Sequence, residues 1–326
     1  MIWIRPGLRK DRPLDSAVFD VDGVLIDTTG SYRLSVIATT QYLVGQRLGL
    51  WQQSAGPLVT LEDVRAFKLA GGFNNDWDLA FCLTALCTAR LREWRGQPAA
   101  TRSLVEWATL ARQATERGQG GIAWARAVTP AWAQPDYDLA QTIHDEFYWG
   151  AALLRELVGR EPRYVLDAPG LVQSETLLMP PTLLHRLAEQ GIGRYALITG
   201  RVGAEVTWAV RMLEQHAPAS SRRFPSRWGP TLFESTVPGE EIAKPDPAAL
   251  LLVAAQLQTQ AGLYVGDTAD DLALVLNYRA SARTDQPPFL AVMIASGPEA
   301  EIYHERGADL ILSEVGELPA ALAALP

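Results

Sequence analysis

The sequence predicts an α/β fold in which a doubly wound parallel sheet is interrupted by a mostly α-helical insertion. Three observations carry this. Short apolar runs end abruptly in turn or acidic residues, as buried strands do. Helical patterns separate most of those runs, and strand alternating with helix implies a parallel sheet covered on both faces. One interval breaks the alternation: about 170 residues separate the first strand from the strand at Tyr195, far more than a crossover helix needs.

The predicted strands are Ala17-Val18-Phe19, Tyr195 to Ile198, Leu263 to Val265, Phe289 to Ile294 and Leu310 to Leu312. Helical spacing covers Pro181 to Gln190, Ala204 to Gln215, Pro247 to Gln258, Thr268 to Asn277 and Glu317 to Ala324. The stretch from Ser31 to about Arg163 reads as mostly helical and holds seven of the ten tryptophans, enough large apolar side chains for a core of its own. This places an α/β domain at 1–30 and 165–326 and a helical domain at 31–164, with linkers near Thr28–Ser31 and Arg163–Gln173. Arg95–Arg102 and Arg117–Gly121 read as exposed loops of the insertion, and Gln215 to Pro230 as a loop of the α/β domain.

Composition limits the partners. The 326 residues fit roughly two domains, and 48% hydrophobic with 20% charged residues is ordinary globular usage. Lys plus Arg is 29 against 37 Asp plus Glu, a net charge of −8, which excludes nucleic acid held by counterion release. No apolar run approaches the ~20 residues of a membrane span, so no membrane partner is expected, and the N-terminus is too polar for a secretory signal. Cys82 and Cys87 cannot build a disulfide framework, and with no export signal a cytoplasmic location with reduced thiols is expected. They match no metal or redox motif, and His144, His185, His216 and His304 are scattered without metal-ligand spacing.

The first strand carries the strongest chemical signal. Val18-Phe19-Asp20-Val21-Asp22-Gly23 ends a buried run in two carboxylates two residues apart. Ligands of open α/β sheets bind beyond the carboxyl ends of strands. Two acids there need a cation, and Mg²⁺ suits one or two carboxylates plus phosphate. Thr199-Gly200-Arg201 follows the next strand and opens a helix, offering a hydroxyl and free N–H groups to a phosphate. Lys244 stands in Lys244-Pro245-Asp246-Pro247 just before a helix, a cation for a phosphoryl group. Gly266-Asp267-Thr268-Ala269-Asp270-Asp271 follows the third strand and supplies further acids for the metal. Each segment alone also reads as a turn or a helix cap; the ordered set is what points to a site.

This constellation resembles the haloacid dehalogenase superfamily, over Ser16–Thr28 and about Thr176–Pro326. The insertion resembles the helical cap of its first subfamily, and Phe67 to Trp77 resembles a poorly characterised, phosphatase-like branch of it. The resemblance implies a Rossmann-like core with an inserted cap. By position it implies Asp20 as nucleophile, Asp22 as acid and base, and Thr199 and Lys244 as phosphoryl-holding groups. It places Mg²⁺ between Asp20, the Asp22 backbone carbonyl and Asp267, with Asp271 as the second acid of its segment and Asp270 as the neighbouring candidate. Gly200 and Arg201 become candidate substrate contacts, although Arg201 reads equally as a surface arginine. Lys68, Asn74, Asn75 and Asp76 become a candidate specificity loop of the cap, with a polar helix–loop as the alternative.

The function implied is a Mg²⁺-dependent phosphatase that hydrolyses a small-molecule phosphomonoester through an aspartyl-phosphate. Asp22 is the acid/base group that phosphatases and mutases of the superfamily need, so a phosphomutase of the beta-phosphoglucomutase type on the same scaffold is the alternative. A non-catalytic, phosphate-binding or regulatory protein is a further one; its expected signature is a damaged acid set, and here every charged member is present. A small phosphate ester is thus the expected partner, and the chain is expected as monomer or homodimer.

Overall fold

The computed structural model of the chain describes residues 2–9, 12–73, 75–92, 101–281 and 286–326. It divides into two compact units, Met1–Asp27 with Thr176–Pro326, and Thr28–Glu175.

The α/β unit is built on a seven-stranded sheet, and the strands among the described residues are β1 (Ile2–Ile4), β2 (Ser16–Phe19), β3 (Ile26–Asp27), β4 (Thr176–Leu177), β5 (Arg194–Ile198), β6 (Ser235–Val237), β7 (Gly262–Gly266), β8 (Phe289–Ile294) and β9 (Leu310–Leu312). The order is β1-β9-β8-β7-β2-β5-β6, and β3 pairs with β4 in a separate two-stranded ribbon. Every pair from β9 through β6 is parallel; β1 joins β9 antiparallel at the edge. All five predicted strands are present. β1 and β6 lie outside the predicted set: β1 is not fully buried, and Ser235-Thr236-Val237 is mostly polar, whereas the equally short β9 is all apolar and buried. The sheet's alternation separates two cores: Ala17 and Phe19 of β2 face one, with Leu183, Leu197 and Leu213, while Val18 faces the other, with Ile198, Val253 and Leu272.

The helical unit contains α1 (Tyr32–Gln41), α2 (Leu61–Ala70), α3 (Asp76–Arg92), α4 (Leu104–Thr115), α5 (Gly121–Val128) and α6 (Tyr137–Leu153). Thr60 and Asp63 close a capping box at α2, and Ser103 with Glu106 closes another at α4. Trp107 and Trp124 pack with Phe67 and Phe73 in its core, as the tryptophan content suggested, but Trp132 is exposed. The Arg95–Arg102 segment lies largely outside the described residues.

The α/β unit's helices are α7 (Leu183–Glu189), α8 (Ala204–Gln215), α9 (Ala248–Leu257), α10 (Ala269–Ser281), α11 (Pro298–Glu305) and α12 (Leu318–Ala323). The division between units falls after Glu175, eleven residues beyond the expected 164–165 boundary. Buried Glu146 on α6 accepts the backbone N–H groups of Arg163, Tyr164 and Val165, each at 2.8 Å, which ties that stretch to the helical unit. Glu175 itself accepts the hydroxyls of Ser31 and Tyr148 at 2.8 and 3.3 Å. No helix among the described residues is long and apolar enough to cross a membrane.

Candidate active site

β2 is flanked on both sides by parallel neighbours, β5 and β7, and all four of its residues are buried. The ladder continues one residue further, where the Asp20 N–H donates to the Val265 carbonyl at 2.8 Å. The chain then leaves the sheet in a tight turn. Leu25 and Ile26 donate back to the Val21 carbonyl at 2.8 and 2.9 Å, and Gly23 takes a φ of +72°. This turn holds Asp20 and Asp22 at the sheet's carboxyl edge.

The loops after β5, the β6–α9 connection and β7 meet it there. Lys244 places its Nζ 2.9 Å from Asp20 Oδ2 and 2.7 Å from Asp271 Oδ1. Asp271 is held on all sides. Its Oδ1 also accepts the Tyr264 hydroxyl at 2.6 Å, and its Oδ2 accepts the Thr268 hydroxyl and N–H at 2.6 and 2.9 Å. Thr268 and Asp271 thereby form a reciprocal cap at the start of α10, the reason an acid three residues into a helix turns back toward the sheet. Thr199 is buried at the end of β5, with its N–H on the Val237 carbonyl at 3.0 Å and its hydroxyl accepting the Arg201 N–H at 3.1 Å.

Carboxylate oxygens of Asp20, Asp267 and Asp271 lie within 4.8 Å of one another. Burial is the main influence on Asp20 and pushes it from 3.8 up to about 7; Lys244 pulls the other way, and Asp271 and Asp22 add repulsion. Burial, then the charges of Asp20 and Asp271, lift Asp267 well above the usual carboxylate range. Burial also acts against charge on Asp271, but Lys244 and the hydrogen bonds from Lys244, Thr268 and Tyr264 hold it below that range. Lys244 in turn stays protonated, because Asp20 and Asp271 outweigh its own desolvation.

The donor set fits a hard divalent cation. Asp267 Oδ1 is buried with no hydrogen-bond partner, and of the three clustered acids Lys244 pairs with Asp20 and Asp271. Oxygen-only donors of this kind suit Mg²⁺.

The remaining expected site residues fall in different places. Asp271, not Asp270, belongs to the three-acid cluster among the described residues. Gly200 lies against Gly239, where a Cβ on residue 239 would stand 2.7 Å from the Gly200 carbonyl oxygen. Arg201 is not a surface residue; its side chain is 0% exposed and pairs with Asp22. In the helical unit, Lys68 Nζ pairs with Asp76 Oδ1 at 2.9 Å, and Asn75 Oδ1 accepts the N–H of Trp77 at 2.9 Å as a cap of α3. Asn74 lies outside the described residues. Tyr264, Thr268 and Tyr303, whose hydroxyl donates to the Asp267 carbonyl at 2.8 Å, were not singled out from sequence. The capping pattern Thr268-x-x-Asp271 was the available signal for one of them; nothing in the sequence marks the two tyrosines.

The family model of the haloacid dehalogenase-like hydrolases matches residues 14–274. The chain belongs to this family. The solved phosphatase Tt82 from Thermococcus thioreducens is 27% identical, covering 87% of this chain and 93% of its own, with a TM-score of 0.58. A predicted phosphoglycolate phosphatase from Haemophilus somnus 129pt shares the fold at 13% identity, with 96% of this chain and 100% of that one covered and a TM-score of 0.51. In sequence, the chain is also similar to an imidazoleglycerol-phosphate dehydratase of Phytophthora nicotianae, 25% identical over 322 residues and 96% of this chain. It spans about half (54%) of that relative's length. As a haloacid dehalogenase-like hydrolase, the protein carries its helical unit as the cap and its acid cluster in the α/β core.

Proposed function

We propose that this hydrolase is a Mg²⁺-dependent phosphatase that cleaves small phosphomonoesters through an aspartyl-phosphate. The observation that carries the reading is Asp20: a buried carboxylate at the edge of the central strand, 2.9 Å from a lysine ammonium and within the three-acid cluster. The 27% identity with a solved phosphatase supports the same chemistry.

Asp20, Asp267 and the Asp22 carbonyl would hold the cation, with Asp271 orienting Lys244 beside it. Bound Mg²⁺ supplies positive charge that offsets repulsion between a carboxylate and an anionic phosphoryl group. Lys244 adds a second positive charge, and the Thr199 hydroxyl with the N–H groups after β5 binds phosphoryl oxygens. An Asp20 oxygen attacks phosphorus as the ester P–O bond breaks, and Asp22 gives its proton to the departing oxygen. Water then attacks the same phosphorus, Asp22 takes its proton, and Asp20 leaves as carboxylate. Positioning and charge stabilisation supply most of such a rate.

Substrate selection we assign to the cap, with Lys68 and Asp76 as its first candidates. A panel of metabolite phosphates assayed for release of inorganic phosphate tests the function, with Asp20→Asn as the control. Release by the wild-type protein that Asp20→Asn removes supports the reading; release of equal size by both rejects it.

A further inference from the structure

Arg201 and Asp22 come from different loops yet form a tight charge pair at the edge of the site, of which the reaction above uses only Asp22. The guanidinium places Nε 2.8 Å and Nη2 2.7 Å from the same oxygen, Asp22 Oδ1. A third nitrogen, Nη1, lies 3.4 Å from the Glu205 carbonyl oxygen. The Arg201 backbone is pinned as well, its N–H on the Thr199 hydroxyl at 3.1 Å and its carbonyl accepting the Gly239 N–H at 3.1 Å.

The two side chains differ in what they present. That of Arg201 is 0% exposed and spent on Asp22, whereas that of Asp22 is 29% exposed. No hydrogen bond among the described residues uses Asp22 Oδ2. A rigid fork with two donors on one carboxylate oxygen fixes the orientation of the other.

We infer that Arg201 is a positioning residue for Asp22: it clamps Oδ1 so that Oδ2 is the oxygen that passes the proton. The inference rests on the phosphatase reading and deepens it. In the first half-reaction the proton leaves Oδ2 for the ester oxygen as its bond to phosphorus breaks and the Asp20–phosphorus bond forms. In the second, Oδ2 receives a proton from the attacking water as the Asp20–phosphorus bond breaks. The Arg201 proton inventory is unchanged throughout.

The test compares two esters of similar shape, p-nitrophenyl phosphate and phenyl phosphate, whose leaving groups differ in their need for a proton. Steady-state kinetics are measured for wild type, Asp22→Asn, Arg201→Met, Arg201→Lys and the double variant Asp22→Asn/Arg201→Met. Arg201→Met is expected to leave KM nearly unchanged and to lower kcat/KM for phenyl phosphate about tenfold more than for p-nitrophenyl phosphate, a fraction of the roughly 100- to 10,000-fold that a general acid contributes. Arg201→Lys should recover part of that loss. Adding Arg201→Met to Asp22→Asn should cost almost nothing further, because the residue acts through Asp22. If the single variant fails to fold for want of a counter-charge, the double variant, which removes both charges, and Arg201→Lys still decide. Equal losses on the two esters, a rise in KM alone, or an undiminished loss in the Asp22→Asn background would overturn the inference while leaving the phosphatase reading in place. No phosphate release by the wild type from either ester would overturn both.

Discussion

A side chain at position 23 would collide with Asp267: a Cβ built on Gly23 stands 2.0 Å from Asp267 Oδ2. The glycine that ends the Asp-x-Asp-Gly run is therefore set by a carboxylate more than two hundred residues away in sequence, in addition to its φ of +72°. Gly23→Ala should displace either the turn or the acid. The backbone alone costs about 1–3 kcal/mol. Affinity for Mg²⁺ should fall by about 10–100-fold, the usual effect of disturbing a ligand's surroundings. Calorimetric titration checks this, and unchanged affinity would remove Asp267 from the ligand set.

Asp20→Asn should abolish phosphate release and also change how stability depends on pH. Asp20 binds its proton more tightly in the folded chain, with its value raised from 3.8 to about 7 chiefly by burial. Between those values the native state holds more protons than the unfolded one, so without divalent cations stability falls as pH rises through that window. Asp267, raised for the same reason, adds to the fall. Thermal unfolding in chelator at pH 5 and pH 8 should show a smaller drop for Asp20→Asn than for wild type. Equal drops would mean that Asp20 is ionised in the folded chain throughout.

Lys244→Met strips the counter-charge from Asp20 and Asp271, whose oxygens lie 2.9 and 2.7 Å from the ammonium. Breaking a buried pair on one side costs about 3–5 kcal/mol. Denaturant unfolding of the metal-free protein should show a loss of this order at neutral pH. Lys244→Arg should not restore activity, since a planar fork does not replace a compact ammonium between two carboxylates.

Excess chelator should stop phosphate release and Mg²⁺ should restore it. Turnover that persists in chelator would remove the cation from the mechanism.

In the cap, Asn75→Ala should lower stability by about 1 kcal/mol, as losing a helix cap does, with the order of preferred substrates retained. Lys68→Met frees Asp76 and should change that order in a phosphate panel. An unaltered order would make the 2.9 Å Lys68–Asp76 pair a purely structural one.

Asp20, Thr199 and Asp267 were legible because each sits where a strand's periodicity stops, after Phe19, Ile198 and Gly266, and Lys244 because it stands just before a helix. A buried strand must end in a turn, and polar residues at several such ends in one parallel sheet converge on one edge. The helical insertion was legible for a related reason, since no crossover connection consumes so many residues. The edge strands β1 and β6 were not, because β1 is only partly buried and β6 is mostly polar, so neither shows the apolar run that marks the equally short β9.

The sequence by itself therefore determined the α/β class, the presence of an inserted helical unit and the set of residues at the sheet's carboxyl edge, all consequences of local pattern read along the chain. Only the tertiary structure decided how those residues pair. It turned Arg201 inward onto Asp22, gave Lys244 to both Asp20 and Asp271, and placed 165–175 in the helical unit, where Val165 donates to Glu146 and Glu175 accepts from Ser31 and Tyr148. The physical reason is that a charged side chain several bonds long has many reachable partners, and the choice among them is made by burial: an ion kept from water must find its counter-charge among whatever distant segments the fold brings within about 3 Å.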